Sequence, residues 1–284
     1  MSGRGGLWRD ALARLCANRV AMLCLAILAL MTVAAIIGPL FLDFRQDEID
    51  WAHMAAPPLA AAGHWFGTDR LGRDMLVRTL YGLRVSLGIA VLATIVSLAI
   101  GVSWGAIAGY LRGRTDALMM RIVDILYALP QVFFVIILTV VLGRSPATLL
   151  LAIGAFGWLT MARIVRGQAL ALREREFVEA AIVGGAGTAR IVTRHIIPNL
   201  LGPVIVYATL TVPQVILVES FLSFLGIGIQ EPLASLGNLI ADGAVEMETA
   251  TWILAVPAAC LVLLVFCFNF LGDGLRDALD PRDH

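Results

Sequence analysis

Apolar residues along the chain gather into six runs, at 20–42, 83–110, 122–142, 145–164, 196–224 and 252–271. An α-helix needs about 20 apolar residues to cross the hydrocarbon core of a bilayer, and these runs meet or approach that length. The pattern predicts an all-α integral membrane protein with six transmembrane helices. Residues 1–19 read as an interfacial N-terminal helix with Leu7, Ala11, Leu12 and Leu15 on one face. The first span, 20–42, ends at Gly38-Pro39 and is too long for a signal-peptide core. A polar outer loop fills 43–82, a five-helix core spans 83–274 with a polar inner segment at 173–195, and 275–284 forms a tail. Pro130, Pro198, Pro203, Pro213 and Pro257 are expected to break or kink helices, with Pro203 and Pro213 both in the fifth span.

Composition agrees with the pattern and removes several functions. Of 284 residues, 60% are hydrophobic and 15% charged, against about 25% charged in soluble domains. The net charge is zero, which argues against nucleic acid as a partner. All 21 basic residues are Arg, so the lysine of a phosphate-binding loop and Schiff-base chemistry are both excluded. Cys16, Cys24, Cys260 and Cys267 lie in or beside apolar runs without metal-ligand spacing, and the four histidines are scattered. With the N-terminus inside, 15 arginines fall in inner segments and 6 in outer ones, which places both termini in the cytoplasm.

The inner segment is the densest polar stretch. Residues 176–183 favour a helix, Gly184, Gly185 and Gly187 break it, and a second short helix over 189–197 is expected to lead into the membrane. Composition leaves two readings open, an ordinary loop between spans or a surface for a soluble partner. The outer loop carries Gly67, Thr68, Asp69, Gly72, Arg73 and Asp74. Thr68 and Asp69 are candidate helix caps, and Arg73 and Asp74 candidates for charge-assisted bonds within the loop. Intramembrane acids are costly and usually functional. Asp124 either pairs with Arg121 on its own helix or belongs to a translocation path. Glu219 either meets a substrate in a wet cavity or satisfies a backbone break at Pro213.

Glu179-Ala180-Ala181, Gly185 and Pro198 resemble the EAA motif of ABC-importer permeases, with Ile197 and His195 departing from its usual residues. The outer string from Gly67 to Asp74, the Phe221–Gly226 and Gly237–Gly243 strings, and the C-terminal string from Asn269 to Arg282 are similar to one membrane subunit of the oligopeptide, dipeptide and nickel branch. The resemblance runs in order from about His64 onward. It implies a type I importer-like fold in the bacterial inner membrane, taking up oligo- or dipeptides, with nickel or glutathione as the alternative cargo. Glu179, Ala180, Ala181, Gly184, Gly185, His195 and Pro198 would then couple the chain to the ATPase. The implied partners are a second, homologous permease in a heterodimer, one or two ATP-binding subunits carrying the ATP and Mg, a periplasmic or lipid-anchored substrate-binding protein, and membrane lipid. The chain itself would bind no cofactor and hydrolyse nothing. A secondary, ion-driven transporter is the rival, and it needs Asp124 or Glu219 as a coupling-ion site.

Overall fold

The structure is a computed structural model and describes residues 4–61 and 63–279. Among these the regular structure is helical, with a single isolated bridge, Thr68 to Asp74, as the β feature. Helices α1 (Arg4–Ala17) and α2 (Arg19–Ile37) meet at Asn18, whose side chain accepts from Val20 N and Ala21 N at 3.1 Å. The next helices are α3 (Met75–Leu111), α4 (Gly113–Tyr127), α5 (Gln131–Leu142), α6 (Pro146–Arg173) and α7 (Glu176–Val183). Then come α8 (Thr188–Phe224), α9 (Leu236–Val245) and α10 (Thr251–Leu279). Five of these are long and apolar enough to cross a membrane, and the total is six when the bent pair α4–α5 is counted as one span.

The centre of the fold is the pair α3 and α6. Without a hydrophobic drive between helices in lipid, close approach depends on small residues. Gly101, Gly105 and Gly109 supply it at four-residue intervals: a Cβ on Gly105 would stand 2.4 Å from the Ala162 carbonyl, and one on Gly109 2.7 Å from that of Arg166. A second apolar layer joins α2, α3, α8 and α10 through Cys24, Leu28, Ile89, Ile216, Leu264 and Cys267.

Four expectations change. The second span begins at Met75, so the outer loop is shorter than 43–82; Arg78 and Arg84 are helical. The third span starts at Gly113 and not at 122, and the break expected at Pro130 is present, with α4 and α5 meeting at 81°. Pro130 has no N–H to donate and keeps Leu129 out of the helical basin, so the helix ends there. The fifth span is unbroken, because Pro203 and Pro213 both sit inside α8. The separate second helix over 189–197 is merged into it. The chain passes from Thr188 through a π-helical turn, Val192–Ile196, straight into the span. That wide turn lies where the Pro198 ring would crowd the carbonyl four residues back.

The ends differ too. Helix α6 runs on to Arg173, and α10 continues through Leu279, so part of the expected tail is helical. In α1, Ala11 and Leu15 are buried, Leu15 with Ala278, whereas Leu12 is 60% exposed and faces away from them. The side chain of Leu7 and the last residues of the C-terminal string lie outside the described residues.

Candidate functional site

The inner segment folds as a short helix with a defined stop. The α7 helix ends at Gly184, and Gly185 follows with φ +77°, a left-handed conformation that glycine adopts without steric cost. Two bonds close the end: Ala186 N donates to Ala181 O at 3.0 Å and Gly185 N to Ile182 O at 2.9 Å. This pairing satisfies carbonyls that a helix end otherwise leaves open. Val178 is fully buried, and Ala181 and Ala186 pack with it onto Ala106, Val165, Ala169 and Ile191 on α3, α6 and α8.

The other side of α7 is bare. Glu179 and Ala180 are exposed, and Val183 is 89% exposed with Ile182 and Phe177 beside it. Among the described residues the Glu179 carboxylate has no hydrogen-bond or ion-pair partner, its backbone N–H alone donating, to Arg175 O. His195 is half-buried in the π turn, where its carbonyl accepts from Asn199 Nδ2 at 2.5 Å, and Pro198 follows one residue after that turn. The segment is clasped from outside: Arg112 donates to Leu170 O and Glu174, Arg173 donates to Tyr110 O, and Arg166 grips both Asp116 oxygens at 2.6 and 2.7 Å.

The outer loop folds around Asp69, which is buried. Its carboxylate accepts from Leu71 N, Arg73 N and Arg73 Nε at 2.6–2.9 Å, and from Arg78. Arg73 reaches on to Glu231 at 2.9 Å, and Arg78 lies 3.9 Å from Asp242 on α9. Burial pushes the Asp69 carboxyl up, but Arg78 and Arg73 outweigh it and hold it below its ordinary 3.8. The Arg73 hydrogen bond holds Glu231 down in the same way, whereas burial leaves Asp242 raised despite Arg78.

Thr68 and Asp69 are not the helix caps expected of them. Asp74 is the cap, accepting from Val77 N at 2.8 Å, because Thr68 is used elsewhere, donating to His53 O and accepting from Ala56 N. Gly67 and Gly72 have positive φ, and a Cβ on Gly72 would overlap the Asp50 carbonyl at 2.0 Å. Trp252 Nε1 donates to Thr68 O at 3.0 Å and ties the loop to α10.

A cavity of about 470 Å³ opens where the α4–α5 break faces α6 and α8. Its polar lining is Tyr127, Gln131, Thr160, Tyr207, Thr211 and Gln214, and no ionised side chain lines it. None of the six was singled out from sequence. Tyr207, Thr211 and Gln214 stand at i, i+4 and i+7 on one helix, a one-face stripe that periodicity carries.

Neither intramembrane acid lines the cavity. Asp124 pairs with Arg163 of α6 at 2.8 Å, not with Arg121, and the Arg163 guanidinium stacks over Tyr127 at 4.0 Å. Glu219 is fully buried and accepts from Ser86 and Ser223, each at 2.8 Å. Ser86 Oγ also accepts from Leu236 N at 3.2 Å, so Glu219 joins α3, α8 and the start of α9 and does not serve a break at Pro213.

Comparison with known proteins places these features in context. Residues 101–282 match the family described as binding-protein-dependent transport system inner membrane component, and residues 6–58 the N-terminal transmembrane domain of oligopeptide transport permease C. The chain is 51% identical over 283 residues to the oligopeptide transport system permease protein OppC of Haemophilus influenzae, covering 100% of this chain and 91% of that protein. It is 52% identical over 277 residues to the OppC of Escherichia coli K12, covering 98% and 92%. It is 46% identical over 275 residues to the dipeptide transport system permease protein DppC of Bacillus subtilis, covering 96% and 85%. Among solved structures, the inward-facing MetNI methionine ABC transporter aligns with TM-score 0.56 at 22% identity, covering 72% of this chain and 96% of that one. That likeness supports the helical importer fold.

Proposed function

Because the chain belongs to the family of binding-protein-dependent transport system inner-membrane components, we propose that it is the permease subunit of an ATP-driven ABC importer of oligo- or dipeptides. The observation that carries the coupling role is α7, which buries Val178 against three spans while leaving the Glu179 carboxylate unpaired and Val183 bare. An exposed apolar patch rimmed by charge marks a docking surface. ATP-binding subunits would seat against Glu179, Ala180 and the Gly184–Gly185 turn, holding the ATP and Mg themselves, so that this chain needs no ATPase site. A homologous permease would close the cavity from the open side, and a periplasmic or lipid-anchored binding protein would deliver cargo to the outer lobe. The excess of inner arginines supports cytoplasmic termini and an inner-membrane location.

The cavity supports a peptide cargo. Nickel selects imidazole and carboxylate ligands, and none lines it. Tyr, Thr and Gln offer neutral donors and acceptors that suit a peptide backbone whatever its side chains. The ion-driven alternative needs an acid facing the path, and both candidates are engaged elsewhere. Replacing Glu179 by Arg tests the coupling role. The variant should insert and assemble its membrane helices normally yet lose peptide uptake at least about tenfold. Unimpaired uptake by a stably inserted Glu179→Arg protein would overturn it.

A further inference from the structure

Asp50, His53 and His64 are scattered in sequence but converge in the outer loop, and their three ligand atoms lie within 4.8 Å of one another. Asp50 Oδ2 stands 2.7 Å from His53 Nδ1 and 3.6 Å from His64 Nε2. Ligands about 2.0–2.1 Å from a tetrahedral Zn²⁺ are about 3.3 Å apart. Both carboxylate–imidazole separations are therefore within about 0.6 Å of the required edge. His53 is exposed and sits on a turn closed by its N–H to Asp50 O, so it can supply the movement that brings the two imidazoles to the ion.

His64 is the oriented member. It is 2% exposed, and the Phe44 ring stacks on it at 4.2 Å. Its Nδ1 is 2.9 Å from Asp74 Oδ2, while the other Asp74 oxygen is held by Val77 N. The Asp74 carboxylate faces Nδ1, and Nε2 is turned toward Asp50 and His53. Nε2 makes no hydrogen bond among the described residues; the Asp50 oxygen at 3.6 Å is its polar neighbour. Metal-binding histidines are fixed in this way, with the second ring nitrogen donated to a carboxylate. Asp50 is anchored as well: its Oδ1 accepts from Ala52 N at 3.0 Å and its backbone N–H donates to Gly72 O.

We propose that Asp50, His53 and His64 form a binding site for a divalent transition ion of the zinc class on the outer face, with water in the fourth position. Two imidazoles and one carboxylate are the donor set such an ion prefers. The ion ties the 50–53 turn to the residue that Asp74 holds, and so to the start of α3. This site is separate from the cavity and from α7.

The test uses the assembled transporter, purified with a histidine-free tag, stripped with chelator and titrated with Zn²⁺ against a chromophoric competitor. The expected result is one tightly held ion per chain. His53→Ala and Asp50→Asn should each weaken it by at least about tenfold, with His195→Ala and His284→Ala unchanged. Co²⁺ in place of Zn²⁺ should give the visible spectrum of a four-coordinate ion, lost in His53→Ala. His53 is exposed, so its replacement leaves the loop folded, checked by unchanged metal-free unfolding. Absence of a tightly held ion, or identical affinity in His53→Ala and Asp50→Asn, overturns the proposal and leaves His64 as a hydrogen-bonded loop residue.

Discussion

The outer loop and the inner segment are both polar stretches between spans, and they satisfy their polar groups in opposite ways. In the outer loop, buried charge is answered by the protein itself: Asp69 meets Arg73 of the loop and Arg78 of α3, Arg73 meets Glu231 ahead of α9, and Asp74 meets His64. In the inner segment, α7 buries a single side chain, Val178, and leaves the Glu179 carboxylate without a partner. A self-satisfied region holds its shape alone. A region with bare apolar side chains and an unpaired acid is shaped for something that docks.

The comparison breaks most visibly at Asp69. Removing one partner of a buried ion network leaves uncompensated charge and costs about 3–5 kcal/mol. Asp69→Ala, which strands Arg73 and Arg78, should destabilise the purified protein by that amount in denaturant or thermal unfolding. A change below 1 kcal/mol (roughly the value of a surface pair) would mean that the network is not the brace described. Acid should loosen the same region by a smaller step. A carboxyl held below its ordinary 3.8 contributes stability that is complete above 3.8 and lost as pH falls through the folded value. Asp242, with a raised value, runs the other way and softens the loss. Protease cleavage within 43–74 should therefore stay flat from pH 7 to about pH 5 and rise only below about pH 4, with cleavage at α7 unchanged. The smallest structural effect belongs to Val183→Ser: surface changes lie within about 0.5 kcal/mol. Uptake should nonetheless fall several-fold, and an unaltered transport rate would remove the apolar half of the docking surface.

Hydropathy alone locates every long span, because each apolar run exceeds what a soluble helix usually carries, and α7 with its glycine stop is legible from propensity. Helix ends are not. Arg78 reads locally as loop, yet it lies in α3 because Asp69 and Asp242 neutralise it, and Asp242 is more than 160 residues away in sequence. Pro130 announces a break, but its 81° angle is set by packing against α6. Asp124 illustrates the same limit: Arg121 is near in sequence, and Arg163 across the helix interface is the residue it meets. His53 and His64 carry no recognisable spacing because a turn, not a helix, brings them together. The stripe Tyr207, Thr211 and Gln214 shares one helix face by spacing, yet neutral polar residues carry no charge to mark them within an apolar run.

The unbroken run of α8 has a mechanical consequence. Arg190, beside the docking helix, and Thr211, in the cavity wall, stand on one rod about 32 Å apart. A rod transmits tilt without refolding: about 5° of tilt about Glu219 moves Arg190, about 44 Å away, by about 4 Å and Thr211, about 12 Å away, by about 1 Å. Glu219 and its serines, pinning the far end of that rod to α3 and α9, make a natural fulcrum. In the proposed importer, leverage of this kind would let a push at α7 widen or narrow the cavity while the existing backbone hydrogen bonds of the span are kept.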